Sequence, residues 1–217
     1  MVSSLKQSAQ VAQPWQILSE LGRDFVERGL VVGTGGNLSM LLEDKKSFLI
    51  TATGARLSHL TEESFAVVNL DGTFAQSGTQ PSSEYRTHLA SYISRSDITT
   101  CIHLHPQTSV LLAALDIDIK LITVDHIYYL RKITRIPWIP PGTQEIADAV
   151  AKELKDCNLL ILENHGCLVV ADNPELAASR TLNLEQAAEL TLKSHLAGIE
   201  PRGIPDSWRR YLEEKGL

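Results

Sequence analysis

Of the seven histidines in this chain, three have the neighbours that metal binding requires. In Cys101-Ile102-His103-Leu104-His105 the residue types alternate as in a half-buried strand, so His103 and His105 share one face with β-carbons about 6 to 7 Å apart. Two imidazoles reaching toward one point can chelate a divalent ion. Cys101 shares that face, but the three positions span about 13 Å, too far for one ion with ligand bonds of about 2.0 to 2.3 Å. The competing reading of the pair is a hydrogen-bonded structural role. His165 offers a third ligand, because Asn164-His165-Gly166 interrupts two apolar strand segments where a polar residue needs a reason; otherwise it is a turn histidine. Three histidines with an open position describe a catalytic site, with Zn²⁺ ahead of Mn²⁺ or Co²⁺. His59, His88, His126 and His195 lack comparable partners, and His88 and His195 fall on expected helices, where solvent exposure is the simpler reading.

A second set of residues suits an anion. Gly33-Thr34-Gly35-Gly36-Asn37-Leu38-Ser39 presents successive backbone N–H groups unhindered by side chains, the makings of a phosphate or carboxylate nest. It is neither a P-loop, lacking Lys-Ser/Thr, nor a dinucleotide fingerprint, because its glycines follow a helix instead of a strand. A tight helix-to-strand turn would look the same. Thr51-Ala52-Thr53-Gly54 and Gln80-Pro81-Ser82-Ser83 add two hydroxyl-bearing turns, the latter at a helix N-terminus whose dipole favours anions. Glu84 sits in that helix's first turn, where its plain role is to complement the dipole and cap free N–H groups.

The elements that must carry these residues follow from periodicity. Ile17, Leu18, Leu21, Phe25 and Val26 mark an amphipathic helix over about 16–28, with Gly29 placed to end it. Strands are expected over 38–42, 47–51, 66–70 and 73–76, the last two joined by an Asp71-Gly72 hairpin turn. A helix with the apolar stripe Tyr85, Leu89, Tyr92 and Ile93, capped by Ser82 or Ser83, ends near Ser96-Asp97. Then come a strand over 99–105, a helix over 107–115, a strand over 120–124, a proline-fenced stretch at Pro137, Pro140 and Pro141, and a helix over 144–155. Strands over 159–162 and 167–170 flank Glu163-Asn164-His165-Gly166, and a helix from Pro174 to Ala197 is stopped by Gly198. Strands in the centre and helices at both ends suggest a mixed sheet covered by helices.

With 217 residues, 43% of them hydrophobic, the chain can bury a substantial core, and no repeat, linker or charge block divides it. One domain is expected over 1–217, with its core at about 15–198 and a C-terminal tail at 199–217. Three cysteines, an odd number in a chain too long to depend on disulfides, read as reduced thiols. A net charge of -6 argues against nucleic acid and anionic membranes as partners, so a bound anion needs local donors. No apolar run approaches the roughly 20 residues of a membrane span, and the first residues lack the apolar core of a signal peptide, so a cytoplasmic location is expected.

Gly-Gly-Asn-Leu-Ser at 35–39, Ile-Thr-Ala-Thr-Gly at 50–54, Pro-Ser-Ser-Glu at 81–84, His-Leu-His-Pro at 103–106 and Asn-His-Gly at 164–166 occur in the order seen in one known family. On these motifs the chain resembles the class II aldolase/adducin family over about 15–198, most of all its L-fuculose-phosphate-aldolase-like enzymes. The resemblance implies an α/β fold of three layers, α/β/α, with a mostly antiparallel mixed sheet, and a homotetramer with sites at subunit interfaces. It implies His103, His105 and His165 as Zn²⁺ ligands. Glu84 would ligate the resting metal and then act as acid/base, its pKa raised in a dry site. Asn37, Thr53, Gly54, Ser82 and Ser83 would hold a sugar phosphate. The implied reaction is that of a zinc-dependent aldehyde-lyase, splitting a ketose 1-phosphate into dihydroxyacetone phosphate and an aldehyde.

One position departs from the pattern. Where such aldolases carry a tyrosine from a neighbouring subunit as the acid at the aldehyde end, this chain has Val124, with His126, Tyr128 and Tyr129 nearby. The segment 125–132, aromatic, basic and apolar together, has the composition of an interface. The same scaffold also serves methylthioribulose-1-phosphate dehydration, pentulose-phosphate epimerisation and keto-acid phosphate decarboxylation. A non-catalytic interaction domain of the adducin type is the reading from another class, disfavoured by the presence of all three histidines and Glu84.

Overall fold

A computed structural model describes residues 12–75 and 78–215. Pro14 opens α1 (Pro14–Glu27), whose buried side, with Leu18 and Phe25, lies on the sheet. The chain then forms β1 (Asn37–Leu41), β2 (Ser47–Thr51), two short 3-10 turns and β3 (Phe65–Asn69). Next come α2 (Tyr85–Ser94), β4 (Thr100–Leu104), α3 (Gln107–Ala114), α4 (Val124–Leu130) and β5 (Thr134–Ile136). They are followed by α5 (Gln144–Glu153), β6 (Leu159–Leu162), β7 (Gly166–Ala171), α6 (Pro174–Ala197) and α7 (Asp206–Glu214).

The strands form one seven-stranded sheet in the order β3-β2-β1-β4-β7-β6-β5, antiparallel throughout except for the β5–β6 pair. Every position of β4, β6 and β7 is buried, which explains the unbroken apolar runs of β6 and β7: helices cover both faces. On one face Leu38, Ile102, Leu104, Cys167 and Val169 pack with Leu18 and Phe25 of α1, Ala113 of α3, Leu130 of α4, and Leu184 and Ala187 of α6. On the other, Phe48, Ile50, Cys101, Leu168 and Val170 pack with Tyr92 of α2 and Ile146 and Val150 of α5. The result is the three-layer α/β/α arrangement expected from the sequence. All three cysteines are free and buried, and no helix among the described residues is long and apolar enough to cross a membrane.

Several local expectations are corrected. The strand expected over Lys120–Val124 does not form: the Lys120 N–H donates to Thr191 Oγ1 of α6 (2.9 Å) rather than to a strand, and the Thr123 hydroxyl accepts from His126 N–H (3.2 Å), starting a helix at Val124. The segment 125–132 is therefore mostly α4. The Asp71-Gly72 turn closes, with Gly72 N–H donating to Asn69 O, but its return strand is a single bridge between Val68 and Phe74; the expected strand's last residue, Gln76, lies outside the described residues. Ile93, assigned to the buried stripe of α2, is 64% exposed. β5 and α7 were not anticipated.

Candidate metal and anion site

The register of the sheet assembles the histidines. His103 pairs with Asn37 of β1 on one side and Leu168 of β7 on the other, and its face is the one covered by α2 and α5. His105 follows at the end of β4. His165 ends the tight turn between β6 and β7, where Asn164 takes a left-handed φ of 55°, a conformation asparagine tolerates. Arg135 of β5 steadies that turn by donating to Glu163 Oε1 (2.9 Å). Gly166 then lets β7 start against the histidines, because a β-carbon there would meet the Leu104 carbonyl, His105 Cδ2 (2.7 Å) and His103 Cε1 (3.2 Å).

Glu84 completes the cluster. It occupies the N-cap position of α2, one residue ahead of the first helical residue, but its side chain caps nothing. Ser82 Oγ accepts the Glu84 N–H instead (3.3 Å), so one of the two serines expected to cap does serve the helix end. The Glu84 carboxylate turns to the histidines, with Oε2 3.3 Å from Nε2 of both His103 and His165. One ligand atom from each of Glu84, His103, His105 and His165 falls within 4.8 Å of all the others.

These four residues fit a divalent cation. The Cys167 carbonyl accepts from His103 Nδ1–H (2.8 Å), which leaves the lone pair of His103 on Nε2, facing inward. His105 Nε2 stands 3.0 Å from it. Glu84 Oε2 and His165 Nδ1 are buried without a hydrogen-bond partner, an expensive arrangement for a purely structural cluster. Burial and the charges of His103 and His165 push the His105 imidazole down to about 4. Burial raises the Glu84 carboxyl, but His103 and His165 outweigh it and hold the group well below the usual carboxylate range.

The three hydroxyl- and glycine-rich turns come together beside the cluster. Leu38 N–H donates to Thr51 Oγ1 (3.2 Å), Thr53 N–H donates to Gln80 O (3.1 Å), and Ala52 bridges Pro81. Gly36, at φ 77°, brings the first turn against β4, where a β-carbon would stand 2.8 Å from His103 O. Asn37 and Ser82 are buried, while Thr53, Gly54 and Ser83 are exposed. Thr53, Ser82 and Ser83 line a cleft of about 430 Å³ with Arg86 and Gly142.

The other expected catalytic groups are elsewhere. Tyr129 is partly buried against the α1/α6 core, and Tyr128, 40% exposed, makes its ring contact with Tyr129. Among the described residues, no hydrogen bond or ring contact joins either tyrosine to the histidines. His126 is buried, its Nδ1 accepting from Ile122 and Thr123 N–H and its Nε2 facing Gln186 Oε1 (3.2 Å), so both ring nitrogens are engaged. Val124 is exposed.

His88 corrects the sequence reading most sharply. It was expected in solvent, yet it is fully buried, with Nδ1 2.7 Å from Ser39 Oγ and Nε2 hydrogen-bonded to Asn37 Oδ1. The signal was available: Glu84, His88 and Tyr92 recur every four residues and so share one face of α2. His195, by contrast, is exposed as expected.

Residues 16–192 match the model of the class II aldolase and adducin N-terminal domain. A 3-oxo-tetronate 4-phosphate decarboxylase of Haemophilus influenzae is 32% identical over 206 residues, covering 93% of this chain and 96% of the relative. An L-fuculose phosphate aldolase of Methanocaldococcus jannaschii is 34% identical over 170 residues, 78% of this chain and 91% of the relative. The solved structure of YgbL from Klebsiella pneumoniae, described as a candidate aldolase/epimerase/decarboxylase, superposes with a TM-score of 0.83 at 29% identity, over 92% of this chain and 97% of that one. Matched to the family model over most of its length and more than 30% identical to the decarboxylase and the aldolase, the chain belongs to the class II aldolase/adducin family.

Proposed function

We propose that the protein is a metal-dependent carbon–carbon lyase that acts on a phosphorylated ketose or keto acid and releases dihydroxyacetone phosphate. The observation that carries this reading is the convergence of His103, His105, His165 and Glu84 beside the turns at 33–37, 51–54 and 80–83. His103, His105 and His165 would hold the ion, with zinc first and manganese or cobalt as alternatives. When bound, such an ion stabilises negative charge developing on the substrate's carbonyl and neighbouring hydroxyl oxygens. Asn37, Thr53, Gly54, Ser82 and Ser83 bind the phosphate and so fix the distance of the scissile bond from the histidines. Glu84 moves the proton. Its affinity for that proton is set by a balance of burial against His103 and His165, and so by what those two imidazoles are bound to.

Two leaving groups suit this site, and both yield the same product. In aldol cleavage the C3–C4 bond of a ketose 1-phosphate breaks, the C4 hydroxyl loses its proton, an aldehyde departs, and C3 takes up a proton. In decarboxylation of a 3-oxo acid 4-phosphate the C1–C2 bond breaks, carbon dioxide departs with no proton transfer at the leaving group, and C2 takes up a proton. Decarboxylation is favoured by Val124, which stands where an aldolase of this kind would carry its tyrosine, and by the commitment of both His126 ring nitrogens within their own subunit. Sequence similarity to the decarboxylase over nearly the whole chain supports the same choice.

The test is to load the protein with zinc and offer 3-oxo-tetronate 4-phosphate in parallel with a panel of ketose 1-phosphates. Dihydroxyacetone phosphate from the keto acid alone, with carbon dioxide as co-product, supports decarboxylation. An aldehyde co-product from a ketose supports the aldolase, and Tyr128→Phe and Tyr129→Phe then identify the acid, with light scattering reporting whether activity requires the homotetramer. No release of dihydroxyacetone phosphate from any of these substrates refutes the proposal.

A further inference from the structure

Behind Asn37 lies a buried chain of polar groups that neither the metal cluster nor the anion turns account for. Asn37 Oδ1 is an amide carbonyl oxygen, which only accepts, so His88 Nε2 carries the proton of that bond. His88 Nδ1 is then the acceptor, taking the hydroxyl proton of Ser39 (2.7 Å). Ser39 Oγ in turn accepts from the Tyr92 hydroxyl (2.7 Å). Every donor points the same way, from Tyr92 through Ser39 and His88 to the carbonyl end of Asn37. The amide's other end, Nδ2, has no protein acceptor among the described residues and is not sealed from solvent. All four side chains are buried, and burial keeps His88 neutral.

An asparagine amide can turn over and exchange its two ends, and the two orientations differ completely for an anion: one presents two N–H donors, the other an oxygen that repels it. We infer that His88 is a positioning residue that locks the Asn37 amide with its carbonyl inward and its NH₂ group toward the anion turns. Ser39 and Tyr92 accommodate the tautomer this requires, since Ser39 Oγ donates to His88 Nδ1 while accepting from the Tyr92 hydroxyl. The inference rests on the reading of Asn37 as a phosphate contact, and it adds a residue without which that contact would be present in only half of the orientations.

The experiment is a double-mutant cycle on full-length protein with inorganic phosphate as the probe, read by phosphorus NMR titration, with bound zinc measured in each variant. Asn37→Ala should weaken phosphate binding at least 10-fold. His88→Leu, which removes the donor to Oδ1, should weaken it comparably while zinc content stays at the wild-type level. The Asn37→Ala/His88→Leu double variant should be no weaker than Asn37→Ala alone, since His88 acts only through that amide. His88→Gln, whose Nε2 can still donate to Oδ1, should recover affinity to within about 3-fold of wild type, and it also serves as the test should the leucine variant fail to fold. Losses that multiply in the double variant, normal binding in His88→Leu, or no recovery in His88→Gln when His88→Leu does not fold would overturn the inference while leaving the phosphate site intact. Normal binding in Asn37→Ala, or none in the wild-type protein, would overturn the phosphate reading itself and the inference with it.

Discussion

Gly166→Ala is the smallest change that should remove the metal without touching a ligand. The added β-carbon would lie 2.7 Å from His105 Cδ2 and 3.2 Å from His103 Cε1, and closer still to the carbonyl oxygen of Leu104. That oxygen cannot swing away, because Leu104 is paired with Cys167 at the centre of the sheet. Relief must therefore come from spreading β4 from β7 or from displacing the two rings. Overpacking of this kind costs about 1 to 3 kcal/mol. For a chain of this size that lowers the melting temperature by roughly 2 to 12 °C. Displaced imidazoles should also cost metal affinity on the scale of disturbed supporting groups, about 10- to 100-fold.

The comparison that separates these effects is Gly29→Ala. Gly29 has a φ of 77° but open space around its α-carbon, so alanine there brings backbone strain of about 1 to 2 kcal/mol and no contact with the histidines. Both variants should melt lower than wild type, and only Gly166→Ala should lose zinc in competition with a chelator. Wild-type zinc affinity in Gly166→Ala, or an equal loss in Gly29→Ala, would refute the idea that the glycine exists to admit the rings.

Three further outcomes are expected. Alanine at His103, His105 or His165 should abolish metal retention in a protein that still folds, measured by metal content and circular dichroism; full zinc content in all three variants would sink the ligand assignment. Glu84→Gln should keep its metal through the three imidazoles but lose turnover by at least about 100-fold, and near-normal turnover would return Glu84 to a helix-end role. The third concerns acid stability. His88 has its pKa lowered from 6.5 to about 3, by burial first and the charge of His103 second, with Glu84 opposing. Between those values the unfolded chain binds a proton that the folded chain does not, so this contribution is fully present above 6.5 and is lost as pH falls toward 3. The slope approaches about 1.4 kcal/mol per pH unit. His105, lowered to about 4 in the metal-free protein, adds to the slope in wild type and variant alike. Urea titrations across that window should show wild type losing more stability on acidification than His88→Gln, and parallel curves would refute the assignment.

The site was more legible in the sequence than the connections around it, for physical reasons. His103 and His105 declare themselves because alternation on a strand fixes their face locally. His165 does so because an imidazole in a turn between two buried strands must find a hydrogen-bond partner or a ligand there. The strand expected at Lys120–Val124 failed because apolar residues alone do not choose between a ladder and a helix entry; the Thr123 hydroxyl and Thr191 of a distant helix decide it. β5 is three residues long and pairs with a strand 26 positions later in the chain, Thr134 opposite Leu160, so no local pattern announces it. His88 was misplaced because burial belongs to the tertiary structure. The neighbours that cover it, Asn37 and Ser39, are 51 and 49 residues away.

The spacing of α2 over β1 and β4 explains why chemistry and core can share one face of this sheet. Four residues of helix rise about 6 Å, and two residues of strand rise about 6.8 Å, so steps of four along α2 stay nearly in phase with steps of two along the strands. Glu84 meets His103, His88 meets Asn37 and Ser39, and Tyr92 meets Ser39 and Phe48. The strand partners follow the same order, since Asn37 lies opposite His103 and Ser39 opposite Cys101. Across these three positions of the helix the face passes from metal ligands, through a buried polar relay, to an aromatic core contact. A one-residue slip of the helix would turn all three side chains about 100° away from these partners, leaving Asn37, Ser39 and His103 without them. The cost of burying those polar groups unpaired holds the register of the site as firmly as the apolar packing beside it.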